Sequence, residues 1–543
     1  IGGDLDITGF DAGSFIKPSY LSAPSGRINL ASVASPGEVI PSASDQVPDL
    51  QVQPVPASGT LQIINASTID VSDYFNGLPS GTILVRSGRL VLDQGSGLTA
   101  DNYGASTGGG VEVLTGTLAL SGGSYLSADS QGTGKGGVVN IQATDSTRIT
   151  DTYSSLSSAA WASGDAGTIT LTTPDLLIEN EAVIYGDSFG EGRGGDVSIV
   201  AGKLSLLSGG SVSSNAAGGT GDGGNISITA TERFSVSGRG PNGFDASLEN
   251  RTSDAGNAGR IQISTPILDI GESGSISAET LGTGRAGDID ITVGTLNLSG
   301  GGRISNSAFG TAGNGGDIFI RAADSVTISG SDSEGTPSGL FSYSWKLGQG
   351  DAGSIFLSAP DLVLSGGASV GADTFGDGRA GNIELTVQRL SLSGGANITS
   401  GSLDGSGRGG DIHVAAADAL TLSGLFSDIS TSTAGAGQGG NITISTHTLT
   451  LQDQGAIYAD TIGSGQGGDI GIHATSLSMS GGSRISSSTY DSTGDGGHVT
   501  IQAAKDMSFA GTFSGVYSVS SGAGMGGDIQ LKAGEISLTD GTQ

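Results

Sequence analysis

One glycine recurring about every 29 residues decides what this 543-residue chain can fold into. The anchors are Gly81, Gly109, Gly137, Gly167, Gly195, Gly224, Gly259, Gly287, Gly316, Gly353, Gly381, Gly410, Gly440, Gly468, Gly497 and Gly527. Two and four residues past all 16 anchors stand Ile, Val or Leu, as in Val197 and Ile199 or Ile318 and Ile320. Alternation with period two is the signature of a strand with one buried face. A second strand begins nine residues past the anchor, as in Leu204 and Leu206 or Leu390 and Leu392. A third is marked at seventeen by Val212, Ile276, Ile304, Val370, Ile398, Ile457 and Ile485. A glycine-rich turn such as Gly190–Gly195 leads to the next anchor.

No single repeat can bury its own apolar faces, but stacked repeats can. The expectation is an all-β chain: a right-handed parallel β-helix (solenoid) with three short strands and about 29 residues per coil. The right hand follows from the usual hand of parallel crossovers. At about 4.8 Å per coil, the 16 copies over residues 81–543 would make a rod of roughly 75 Å. Every third copy differs: its second strand starts one residue later, as in Val326 and Ile328 or Met507 and Phe509. Its last loop reads as longer and more aromatic, so the larger unit is a three-coil super-repeat. The anchor glycines are expected to supply positive φ at a corner. The Asp or Asn that follows nine of the 16 is expected to cap turn amides.

Residues 1–80 hold eight of the 13 prolines. They read as N-terminal coils, with strands at Gly3–Ile7 and Arg27–Leu30, interrupted by an extended loop from Pro36 to Pro56. The chain starts and stops within the pattern, without an initiator Met or a signal peptide, and reads as a piece of something longer.

Composition excludes several functions. Lys plus Arg number 22 against 53 Asp plus Glu, a net charge of −31, which argues against nucleic acid. No stretch approaches the ~18 apolar residues of a membrane span. The absence of cysteine suits export through an oxidising compartment.

Several segments resemble the filamentous-haemagglutinin-like exoproteins of two-partner secretion in Gram-negative bacteria, including cyanobacteria. They are Gly26–Val33 with Gly37–Val39, Gly81–Leu90 and Pro337–Ser342. The resemblance covers essentially the whole chain. It implies export through an outer-membrane transporter of the two-partner type, residence outside the cell or on the outer-membrane surface, and a role in adhesion.

Three functional readings follow. The first is an adhesin whose rod displays loops toward surfaces, glycans or other cells. The second is a structural filament, sheath or matrix component that self-associates end to end. The third is a polysaccharide-degrading β-helix enzyme, which needs a non-repeating acid cleft. Asp187 with Glu191, and Asp373 with Asp377, lie near Arg193 and Arg379, but in equivalent turns, so they read as turn residues and the chain as no enzyme. His413 and His473 fall two coils apart, too far for one metal, and no cofactor is expected beyond incidental calcium at acidic turns. The best ligand contacts are aromatics of the third-type coils: Tyr153, Trp161, Phe244, Phe341, Tyr343, Trp345, Phe426 and Tyr517. They are expected to form a broken ridge, about 14 Å from one group to the next.

Overall fold

The computed structural model is all-β: a parallel β-solenoid of about 16 turns with about 29 residues per turn, and no helix among the described residues. It describes residues 4–11, 16–32, 40–41, 50–51, 59–310, 312–345, 349–490 and 493–542. Most of the Pro36–Pro56 segment and the Gly37–Val39 motif lie outside these. The chain divides into two compact units, Ile1–Thr265 and Pro266–Gln543.

In both units the first two sequence strands run on as one long strand, for instance Asp196–Leu207 and Ile383–Ser393, followed by a three-residue strand, Ser211–Ser213 or Asn397–Thr399. Each pairs in parallel with its equivalent one coil on, Ile383 with Ile412 and Leu390 with Leu420. The alternating aliphatics of the stacked strands point inward: Ile199, Leu206 and Val212 are fully buried in the first unit, and Leu385, Leu392 and Ile398 in the second. Full burial of one such side chain contributes about 1.5–3 kcal/mol. That recurring gain offsets the entropy of ordering a glycine-rich backbone.

The anchor glycines serve a different purpose from the one expected. None of them has positive φ. Within each unit an anchor sits instead on the anchor one coil earlier: a β-carbon at Gly137 would stand 2.5 Å from the Gly109 carbonyl oxygen, and one at Gly316 would be 2.1 Å from that of Gly287. Close approach of two backbones demands glycine here. Positive φ belongs to the turn before the third strand, in pairs such as Gly394 (63°) and Gly395 (83°).

The Asp or Asn after the anchor caps not its own turn but the next coil. In the second unit Asn382 Oδ1 accepts the Asp411 amide at 2.9 Å, Asp411 that of Asn441 at 2.8 Å, and Asn441 that of Asp469 at 2.9 Å. Where two carboxylates are consecutive, Asp288 and Asp317, Arg285 bridges them at 2.8 and 3.2 Å. Inside the coil, hydroxyls do similar work: Ser342 Oγ donates to the Gly316 carbonyl at 3.0 Å and accepts the Gly353 amide at 2.9 Å.

The third-type coils are longer mainly in the turn before the third strand, not in the last loop. Residues Gly238–Ala246 fold into a hairpin closed by Arg239 and Asp245 at 2.8 Å. A second hairpin pairs Ser331 with Pro337. A corner can project a hairpin without disturbing the stacked ladders on either side, whereas an insertion within a strand would break register. In the N-terminal part, Arg27–Ala31 and Thr60–Ile64 occupy the two halves of one long strand position, both pairing with Thr82–Leu92. The Gly59 amide donates to the Ser32 carbonyl at 3.2 Å, joining the two halves.

Candidate binding face

After the third strand each coil makes one more contact with its neighbours, a single parallel bridge through a small residue. In the second unit the bridge runs Thr280, Ala308, Ser344, Thr374, Ser402, Thr433 and Thr461. These side chains are buried, so strand alternation turns the next residue outward. That residue stands five positions beyond the buried aliphatic of the third strand: Leu281, Phe309, Trp345, Phe375, Leu403, Ala434, Ile462 and Tyr490. Its amide bonds the preceding coil, as from Trp345 to Ala308 O at 3.0 Å and from Phe375 to Ser344 O at 2.7 Å, which locks the column in register.

The result is a ridge one residue wide and eight coils long, about 34 Å from end to end. Trp345 is stacked between Phe309 (5.7 Å, 20°) and Phe375 (4.8 Å, 13°). Such pairs contribute about 0.5–1.5 kcal/mol beyond burial. The ridge still meets solvent: Leu281 is 45% exposed, Trp345 40% and Ile462 57%. The first unit carries the same feature in shorter form. Trp161 stacks on Phe189 at 4.4 Å and 20°, and its Nε1 donates to Asp129 Oδ2 at 2.9 Å.

Two residues closer to the third strand the columns beside the ridges carry acids at some coils: Asp101, Asp129 and Asp187 in the first unit, Glu279, Asp373 and Asp460 in the second. Asp373 is buried and accepts the Gly401 amide and the Thr399 hydroxyl, each at 2.6 Å. Burial nevertheless pushes its carboxyl up to about 6 and, together with the Asp373 charge, raises the Tyr343 phenol. In the first unit Asp101 is pushed up to about 7 by burial and then by the charge of Asp129, whose amide it accepts at 2.9 Å. Asp187 is pushed up to about 6 by burial although it accepts the Asn215 amide at 2.8 Å.

The eight expected contact residues do not gather in one line. Trp161 and Trp345 lie on the ridges, with Tyr343 half-buried beside Trp345. Phe341 is buried on the third strand, and Tyr517, in the equivalent position, stacks under the Arg484 guanidinium at 4.7 Å. Tyr153 and Phe426 hold φ of 69° and 65° at the turn before the third strand, 83% and 73% exposed, and Phe244 caps a hairpin. The members that complete the ridge, Phe309 and Phe375, lie in ordinary coils. Counting forward from the third-strand aliphatic would have found them.

The acids once weighed for catalysis belong to separate ladders: Asp187 and Asp373 face their own ridges, and Asp377 accepts the Ser406 amide at 3.0 Å. Among the described residues no three His, Asp or Glu side chains converge as metal ligands, and no helix is long and apolar enough to cross a membrane. No protein-family model matches the chain, and no curated protein matches it in sequence.

Proposed function

We propose that this solenoid is an extracellular attachment protein of the filamentous-haemagglutinin-like type, delivered by an outer-membrane transporter and presenting its ridge to surfaces or to the coats of other cells. The observation that carries the reading is the Leu281–Phe309–Trp345–Phe375–Leu403 column: a continuous apolar line, exposed at every member but the half-buried Phe375, on a protein of net charge −31. Contiguous exposed apolar surface on an otherwise hydrated protein marks a contact site. The stack is stiff, because each ring is held by its neighbours and each backbone by a hydrogen bond, so binding costs little side-chain entropy. The reading is of a binder and not an enzyme, since the acids flanking the ridge accept backbone amides of the adjoining coil.

The test compares adsorption of the wild-type chain to abiotic and cell surfaces with that of a Phe309→Ala, Trp345→Ala, Phe375→Ala triple variant. Loss of adsorption with an unchanged β-sheet circular dichroism spectrum supports the reading. Equal adsorption removes it.

A further inference from the structure

A hollow of about 140 Å³ opens on the outward face of the long strands of the second unit. Its floor is Ile320 and Leu357, whose side chains are buried in the coil beneath. Strand register sets Phe319, Phe356 and Glu384 in one outward column and Arg321, Ser358 and Thr386 in the next. The two phenyl rings form one wall, 5.0 Å apart and 5° from parallel. Elsewhere these two outward columns are mostly polar or small, with residues such as Ser198, Thr292 and Thr443. Arg321 lines the hollow and its Nη1 pairs with Asp290 at 3.0 Å.

We propose that this hollow binds one sugar ring of a neutral, hydroxyl-rich glycan. The chemistry of the walls selects it. A wholly apolar ligand would strip water from Arg321 and Glu384 without replacing it. An anion would meet Glu384 and Asp290, and a metal cation would meet Arg321. A flat aromatic ligand finds no gap between rings already in contact. A sugar ring presents C–H groups to the phenyl wall and hydroxyls that donate to Glu384 while accepting from Arg321, with Ser358 and Thr386 able to do either. The hollow is small and shallow, the room for one ring and not for a chain. It is open to solvent, so that ring can belong to a longer glycan. The proposal rests on the attachment reading for its setting and deepens it by naming a ligand class, at a face separate from the ridge.

The experiment screens the full 543-residue chain on an array of neutral oligosaccharides and measures the best-held one by calorimetry. Glu384→Gln and Phe356→Ala are the variants, with the ridge triple variant as control. The expected result is retention of a neutral oligosaccharide, weakened about tenfold or more by each single variant, as loss of a charge-assisted hydrogen bond or of an apolar wall implies. The ridge variant should hold it as wild type does. Glu384 is exposed, so its replacement by Gln does not threaten the fold and decides the matter if Phe356→Ala destabilises the sheet. The proposal is overturned if wild type retains no neutral oligosaccharide, or if Glu384→Gln binds it equally well. Sugar binding that survives while the ridge variant adsorbs normally counts against the ridge alone.

Discussion

The Tyr343 ring lies across the backbone of Gly371 in the following coil, its hydroxyl oxygen 2.5 Å from where a β-carbon at 371 would stand. The neighbouring third strand repeats the device, with the Phe341 ring over Gly339. An aromatic ring thus fills the space a glycine leaves on the outer face of a short strand and keeps water from its backbone.

Gly371→Ala should therefore destabilise the second unit by about 1–3 kcal/mol, the usual cost of forcing an atom into filled space. Adding Tyr343→Ala to it should recover part of that loss. Denaturant unfolding followed by circular dichroism would show the recovery. If the double variant were as unstable as the sum of the two single variants, the ring and the glycine would not be partners.

Stability should fall as pH rises from about 4 to 8. Asp101 and Asp428 are pushed up to about 7, and Asp187 and Asp373 to about 6, in each case chiefly by burial. An unfolded aspartate titrates near 3.9, so between those values the folded chain binds more protons than the unfolded one. The stabilisation is complete below about pH 4 and is lost as these groups ionise through pH 6 and 7. Among the described residues nothing donates a hydrogen bond to the Asp428 carboxyl, and the nearby Asp373 charge raises it further. Asp428→Asn should raise the melting temperature at pH 8, leave it nearly unchanged at pH 4, and so flatten the profile. An unaltered slope would mean that Asp428 ionises freely.

In the surface ladder the Asn441 backbone amide donates to the Asp411 carboxylate and the Asn441 Oδ1 accepts the Asp469 backbone amide. Asn441→Asp preserves the acceptor but sets three negative charges one coil apart, and among the described residues the arginine paired with them is Arg408, 3.7 Å from Asp411. The variant should lose about 0.2–1 kcal/mol in dilute buffer. It should regain most of that in about 1 M salt, where the screening length is near 3 Å. Melting curves at the two ionic strengths would decide it; a loss independent of salt would point to geometry and not charge.

The coil, its length and its inward residues were legible because burial imposes a period that the sequence must keep, as at Val197 and Ile199 or Leu390 and Leu392. The reason for the anchor glycine was not, because positive φ and close backbone approach both ask for the same residue, and only the neighbouring carbonyl tells them apart. Trp345 was legible as a candidate because it is an aromatic of a third-type coil. Its partners Phe309 and Phe375 were not. The turn before the third strand is longer in third-type coils, so a count from the preceding anchor sets Trp345 out of line with Phe309 and Phe375 although the backbone bridges hold the column straight. The Phe319–Phe356 pair was hidden for another reason: two phenylalanines in separate coils look unrelated until register sets them side by side.

Within each unit, the contact of an anchor glycine with the one before it also governs how such a protein can change. A side chain at one anchor collides with the carbonyl of its predecessor, so the column resists substitution one position at a time. The contact involves only adjacent coils and is alike at each step. A whole coil can be added or removed and the seam closes again on glycine against glycine. The variable most open to inheritance is then the number of turns, and with it the reach of anything the coils display.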